Sequence, residues 1–197
     1  MKCFLMRHGQ TLFNTQGRVQ GACDSPLTEL GIEQALLAKR YFEEQQITFD
    51  RVYSSTQERA TDTAKLLADQ EVLQLKGLKE MDFGRFEAQP EYLLPHHRPG
   101  ANSYEDQLVP YGGEDIRKVG IRVRNAIESV SNENPDSTVL MVSHGAAMWG
   151  LCLDLGISFP PGVHFSNCSI CEFDVFDSKW QLIRLIQPTK NFDIIDF

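Results

Sequence analysis

The chain of 197 residues predicts an α/β fold, a three-layer sandwich in which helices flank a mostly parallel central sheet. Three observations carry that expectation. Short apolar runs alternate with amphipathic helical periods along most of the chain, the pattern of strands joined by crossover helices. Two of these runs end alike: Cys3-Phe4-Leu5-Met6 leads into Arg7-His8-Gly9, and Val139-Leu140-Met141-Val142 leads into Ser143-His144-Gly145. Near the carboxyl end, two runs follow one another directly, as a hairpin requires. The length suits a single domain, 1–197, with a core of its own.

Residues 3–6 form the first strand, and their unbroken apolar character is that of a strand covered on both faces. Ser25-Pro26-Leu27-Thr28 reads as a turn, with Thr28 capping a helix over 29–45 whose apolar positions Ile32, Leu36, Tyr41 and Phe42 lie near helical spacing. Residues 51–54 are a second strand. Thr56 can cap the next helix, which carries Ala60, Ala64, Leu67 and Ala68 on one face and Arg59 in its first turn. A third strand over 72–75 runs into the segment 77–84, where two acids, Glu80 and Asp82, lie between Gly77 and Gly84 as in an active-site loop.

From 88 to 113 the chain contains Pro90, Pro95, Pro99 and Pro110 among polar residues, and forms a lid-like excursion over the sheet edge. It either folds over the pocket or fixes substrate size as one wall. His96-His97 within it is read as solvent exposed. Ile116, Val119, Val123, Ile127 and Val130 then keep a helical period up to Asn134-Pro135. Residues 138–142 are the fourth strand, 146–155 a helix, and 170–176 with 181–186 a hairpin around Asp177-Ser178-Lys179.

A formal net charge of -8 excludes nucleic acid and anionic membrane surfaces as main partners, because no basic footprint is present. The amino terminus shows neither a signal pattern nor a membrane-spanning run, so a cytoplasmic location is expected. Five cysteines, mostly within apolar stretches, read as reduced thiols. Cys168-Ser169-Ile170-Cys171 has redox-like spacing but opens no helix, and is read as two strand residues.

Ligands of open α/β sheets bind beyond the carboxyl ends of the strands, so His8 and His144 can meet in one pocket. Arg7 beside the first histidine, and Arg59 at a helix amino terminus, suit an anion such as phosphate. Glycine after each histidine lets the backbone approach closely. The competing reading is a metal centre, since histidines leaving strands are common ligands. Against it, two arginines stand where a dication would sit.

In order along the chain, Arg7-His8-Gly9-Gln10-Thr11 with Asn14, Gln20-Gly21, Asp24-Ser25-Pro26-Leu27-Thr28, Ser54-Ser55, Arg59-Ala60, Thr63-Ala64, Glu80, Phe83-Gly84, Gly113-Glu114 and Ser143-His144-Gly145 resemble the histidine phosphatase superfamily. That superfamily includes the cofactor-dependent phosphoglycerate mutases. One departure is Ala88, where the family often has glycine after the aromatic-Glu pair, here Phe86-Glu87. The resemblance implies His8 as the nucleophile forming a phosphohistidine, Arg7 and Arg59 as the clamp on the phosphoryl oxygens, and His144 as a third donor. It implies Glu80 as general acid and then base, with Asp82 as the competitor. Asn14 and Gln20 are implied phosphate contacts, helped by the backbone N–H of Gly21 or Gly145. No metal and no organic cofactor are implied.

The leading functional reading is a phosphatase acting on a small phosphorylated substrate through phospho-His8. The segment 80–87 looks like the phosphatase branch. The runner-up is a phosphoglycerate mutase, although mutases carry a longer and more basic excursion than the one here, where Arg85, Arg98 and a few later residues supply the cations. A non-catalytic phospholigand-binding module is the third. Sugar phosphates, phosphoglycerates and α-ribazole phosphate remain open as substrates, as does the oligomeric state.

Overall fold

The computed structural model describes residues 1–197. Strand β1 (Lys2–Arg7) is followed by a one-turn helix α1 (Leu12–Thr15), then α2 (Glu29–Glu44), β2 (Arg51–Ser54), α3 (Glu58–Leu67) and β3 (Val72–Gln74). After the excursion come α4 (Ile116–Glu133), β4 (Thr138–Ser143), α5 (Gly145–Asp154), β5 (Ile170–Phe176), β6 (Lys179–Gln187) and β7 (Asp193–Asp196). One sheet holds all seven strands in the order β3-β2-β4-β1-β5-β6-β7. β3, β2, β4 and β1 are parallel, and β5, β6 and β7 extend the sheet antiparallel from β1.

Successive strand residues face opposite sides, and the central strands use both sides. Cys3, Leu5, Val139 and Met141 join the cluster made with α4 and α5, whereas Phe4, Met6, Leu140 and Val142 join the one made with α2 and α3. This is the three-layer α/β sandwich that the alternating runs predict. No helix is long and apolar enough to cross a membrane.

Several local expectations are revised. Thr28 caps α2 as predicted, accepting from the Gly31 N–H at 3.0 Å, but Ile32 and Leu36 are exposed. The buried stripe is Gly31, Ala35, Ala38, Tyr41 and Phe42. Small residues win here because α2 packs with Gly31 directly against the backbone of Gly9 and Gln10. The residue before α3 is Gln57, not Thr56, and its amide bonds the Gly21 carbonyl and the Glu80 N–H instead of capping the helix. Cys168 lies in a left-handed turn outside β5, so only Cys171 of the pair is a strand residue. All five cysteines are free.

The excursion over 88–113 contains 3₁₀ turns at Glu91–Leu93 and Val109–Tyr111. It is anchored by buried Leu108 and Ser103. It starts at Ala88, whose φ of 61° is a left-handed conformation that favours glycine. The family's preference for glycine there thus has a backbone cause, and the alanine is held by its N–H donating to the Val19 carbonyl at 3.0 Å.

Helices α4 and α5 cross at Gly120 and Gly150, where a methyl group on Gly120 would strike the Gly150 carbonyl. That crossing sets the height of α5 above the sheet, and so the position of its first turn. Gly120→Ala is expected to destabilise the fold by about 1–3 kcal/mol through overpacking, read as a lowered midpoint in urea unfolding; an unchanged midpoint would show that the crossing is not tight.

Candidate active site

β1 and β4 pair in parallel with Arg7 opposite Ser143. The next residue of each strand is therefore a histidine, leaving the same sheet edge, and the two rings lie 5.2 Å apart between centroids. The His8 N–H donates to the Ser143 carbonyl at 3.0 Å, which locks the two strand ends together.

The ring protons follow from the partners. The Gly9 carbonyl can only accept, so His8 Nδ1, at 2.7 Å from it, carries the hydrogen. His8 Nε2 is left with its lone pair, which accepts from Arg59 Nε at 3.3 Å. The same Arg59 N–H reaches His144 Nδ1 at 3.1 Å, so the His144 hydrogen is on Nε2, which donates to Ser55 Oγ at 2.6 Å. Burial first, then the neighbouring Arg59 and Arg7 cations, hold His8 well below its ordinary value of 6.5. Burial and Arg59 do the same to His144. Both imidazoles are neutral near pH 7.

Arg59 is fully buried, and its other donors are all used. Nη1 donates to the Cys23 carbonyl and pairs with Asp24 at 2.8 Å, and Nη2 donates to the Gly21 and Gln20 carbonyls. The loop supplying them is itself fixed by Glu87, which accepts from the N–H groups of Gly21, Ala22, Cys23 and Phe83 at 2.8–3.2 Å. Burial alone would raise the Glu87 carboxyl, but these hydrogen bonds outweigh it and lower it.

Arg7 differs. Its Nη1 donates to the Phe165 carbonyl at 2.6 Å, but its Nε is buried without a protein partner. Gly145 lies beside it, where a side chain would stand 3.4 Å from that Nε. An unpaired buried donor next to an open glycine is what an incoming oxyanion needs.

Glu80 is 8% exposed and close enough to Arg7 to oppose the lowering that burial imposes on that guanidinium. Its carboxylate accepts from the N–H groups of Ala146 at 3.0 Å and Ala147 at 2.7 Å, at the amino end of α5, and of Met81 at 2.9 Å. From behind, Arg122 of α4 donates to the carbonyls of Gly77, Lys79 and Glu80. Asp82 instead receives the Gly84 N–H at 2.7 Å, as a turn residue.

Of the remaining predicted contacts, Asn14 caps α1 from within, its Oδ1 accepting from the Thr11 N–H at 3.1 Å. The Gln20 amide bonds Thr11 Oγ1 and Ser25 Oγ, and the Gly21 N–H is taken by Glu87, so both belong to the scaffold around Arg59. Sequence reasoning did not assign Ser55, Gln57, Glu87 or Arg122 to the site. Ser55 leaves the carboxyl end of β2 as the two histidines leave β1 and β4, so its position was a signal that could have found it, whereas Gln57, Glu87 and Arg122 emerge only from tertiary contacts. His8 and His144 form no group with a third metal-ligating side chain.

These histidines link the site to stability. Each titrates at 6.5 when unfolded and lower when folded, so the unfolded chain takes up protons first as pH falls, and their stability contribution, present above 6.5, is lost below it. Between pH 6.5 and about 5, above the range of the carboxylates, the fold should lose up to ~1.4 kcal/mol per pH unit for each histidine. Denaturant midpoints across that window check it: His144→Asn should reduce the slope, and a flat profile in the parent would disprove neutral burial.

A fold and a site of this kind have clear relatives. Residues 3–187 match the model of the histidine phosphatase superfamily, branch 1, and the chain belongs to that superfamily. A probable phosphoglycerate mutase, GpmB, of Yersinia pestis is 34% identical over 192 residues, covering 91% of this chain and 87% of that protein. Among solved structures, the phosphoserine phosphatase of Entamoeba histolytica, in complex with 3-phosphoglyceric acid, superposes with a TM-score of 0.74 at 29% identity over 93% of this chain and 95% of that one. A phosphoglycerate mutase from Bacillus anthracis gives 0.77 at 27% identity over 92% and 91%.

Proposed function

We propose that the protein is a metal-independent phosphatase that hydrolyses small phosphomonoesters through a phosphohistidine on His8. The observation that carries this reading is the tautomer of His8: Nδ1–H is fixed on the Gly9 carbonyl, and Nε2 keeps its lone pair beside two guanidinium groups. A neutral, oriented imidazole facing cations is a nucleophile paired with its own electrophile-binding site.

In the first step Nε2 attacks phosphorus, the bond to the ester oxygen breaks, and Glu80 delivers a proton to the departing alkoxide. The unpaired Arg7 Nε–H and the positive charge of the buried Arg59 guanidinium stabilise the charge spread over the phosphoryl oxygens. His144 accepts from Arg59 through Nδ1, and its Nε2–H, held by Ser55 Oγ, is the third donor proposed for the phosphoryl group. In the second step Glu80 takes a proton from water, which attacks the phosphohistidine; the N–P bond breaks, and phosphate leaves. The first turn of α5 and the Arg122 tether keep Glu80 in place through both steps.

The second reading is a phosphoglycerate mutase, favoured by the name of the Yersinia pestis relative. A mutase would return the phosphoryl group to a second hydroxyl before water reached it. Product analysis with 3-phosphoglycerate separates the two, since 2-phosphoglycerate forms only in mutase turnover.

His8→Ala is expected to abolish both turnover and the acid-labile, base-stable phosphoenzyme, detectable by rapid quench with labelled substrate; full activity in this variant would overturn the covalent route. Arg59→Ala should slow turnover by about 10²–10³-fold, as for a lost preorganised donor, and chelators should leave the parent active. Glu80→Gln should damage alkyl phosphates far more than nitrophenyl phosphate, whose stable phenolate needs no proton to leave. Equal losses on both in single-turnover measurements would transfer the acid role to Asp82.

A further inference from the structure

Beside the phosphoryl pocket lies a cavity of about 430 Å³, within the ~300–1,000 Å³ range of small-molecule sites. It is continuous with the chemistry, because Gly145, Ala146 and Phe165 line it. Gly145 flanks Arg7 Nε, Ala146 holds the Glu80 carboxylate, and Phe165 accepts from Arg7. An ester oxygen between His8 and Glu80 would carry its organic group into this space.

The walls are apolar and largely aromatic: Met81 and Phe83 from the Glu80 loop, Trp149 from α5, and Val163 with Phe165 from the segment before β5. The fourth side is Tyr104 of the excursion, its ring in edge-to-face contact with Phe83 at 6.1 Å and with His97 at 4.4 Å between centroids. The excursion is therefore a wall of this cavity. No lysine, arginine or carboxylate lines it; its ionisable groups are the imidazoles His97 and His164 and the Tyr104 phenol. The nearby cations are committed elsewhere, Arg98 to Glu105 and Asp106, and Arg122 to Glu114 and the loop carbonyls. A second anionic group on the substrate would meet no lysine or arginine here, and its loss of solvation would be offset only by uncharged donors such as Asn102, Ser103 and the unpaired Trp149 indole N–H.

Building on the phosphatase reading, we propose that this cavity is the leaving-group subsite and selects phosphomonoesters with an aromatic or bulky apolar organic part and no second anionic group. Phosphoglycerates and phosphoserine are then poor substrates, although relatives bear their names.

The test uses esters of primary alcohols, so that leaving-group basicity stays similar: benzyl phosphate against glycerol phosphate, phosphoserine and 3-phosphoglycerate. Benzyl phosphate should have kcat/KM higher by about 10- to 100-fold, the gain from burying one apolar group of that size. Calorimetric binding of benzylphosphonate and carboxyethylphosphonate, which cannot be hydrolysed, reads the subsite without turnover. Benzylphosphonate bound more tightly with no ester hydrolysed would sustain the subsite and remove the phosphatase. Equal or reversed binding, no binding of either phosphonate, or a preference for 3-phosphoglycerate would overturn the subsite itself. Trp149→Ala should bring the benzyl-to-glycerol ratio towards unity. Because that variant alters the packed base of the cavity, Val163→Lys at the loop wall is the second probe, and it should raise kcat/KM for 3-phosphoglycerate relative to benzyl phosphate. No change in either ratio, in folded variants, counts against the proposal.

Discussion

A guanidinium group with no solvent access must find an acceptor for every N–H it carries, and the site is built around satisfying Arg59. Two imidazoles share its Nε–H, which leaves an unprotonated Nε2 on His8 and an N–H on Nε2 of His144. Asp24 neutralises it, and carbonyls from the loop 20–24 fill the remaining directions. That loop can present its carbonyls inward only because Glu87 gathers its N–H groups on the other side. One buried cation thus organises residues from β1, α3, β4 and two loops.

The second fixed point is the amino end of α5. Its first free N–H groups meet the Glu80 carboxylate, so the helix that follows His144 also positions Glu80. The height of that end depends on Gly120 and Gly150, far from any reacting atom. Packing in the α4–α5 layer therefore bears on the distance between Glu80 and His8.

The pair of strands ending in histidines was legible because an open sheet has only one place for such residues to go, and Arg59 was legible as the start of a helix after a strand. The parallel core followed from strand-helix alternation. What sequence left out has a common physical character. The buried stripe of α2 begins with the small residues Gly31, Ala35 and Ala38; the size of Gly31 matters only against the backbone of Gly9 and Gln10, and hydrophobic spacing favoured the larger Ile32 and Leu36. β7 is four residues long with two acids, too short and polar to register as a strand until β6 offers it an edge. Gln20 and Asn14 are polar loop residues in a family motif, and only their hydrogen bonds show them bracing the loops. The aromatic cavity draws on five separate segments, so no local pattern announces it.

The place of β1 in the sheet has a consequence for how the molecule comes into being. Lys2 on this strand pairs with Thr138 on one side and Asp174 on the other, so neither neighbour exists until most of the chain has been made. A chain emerging amino end first carries an apolar strand, meant for burial on both faces, with unpaired edges through most of its synthesis. Such distant closure is slow and leaves partly folded chains prone to aggregation. Assembly of the site and completion of the sheet's parallel core are then one event: a nascent chain that ends before β4 lacks His144 and the amino end of α5, so neither the Arg59 N–H nor the Glu80 carboxylate has its full set of partners.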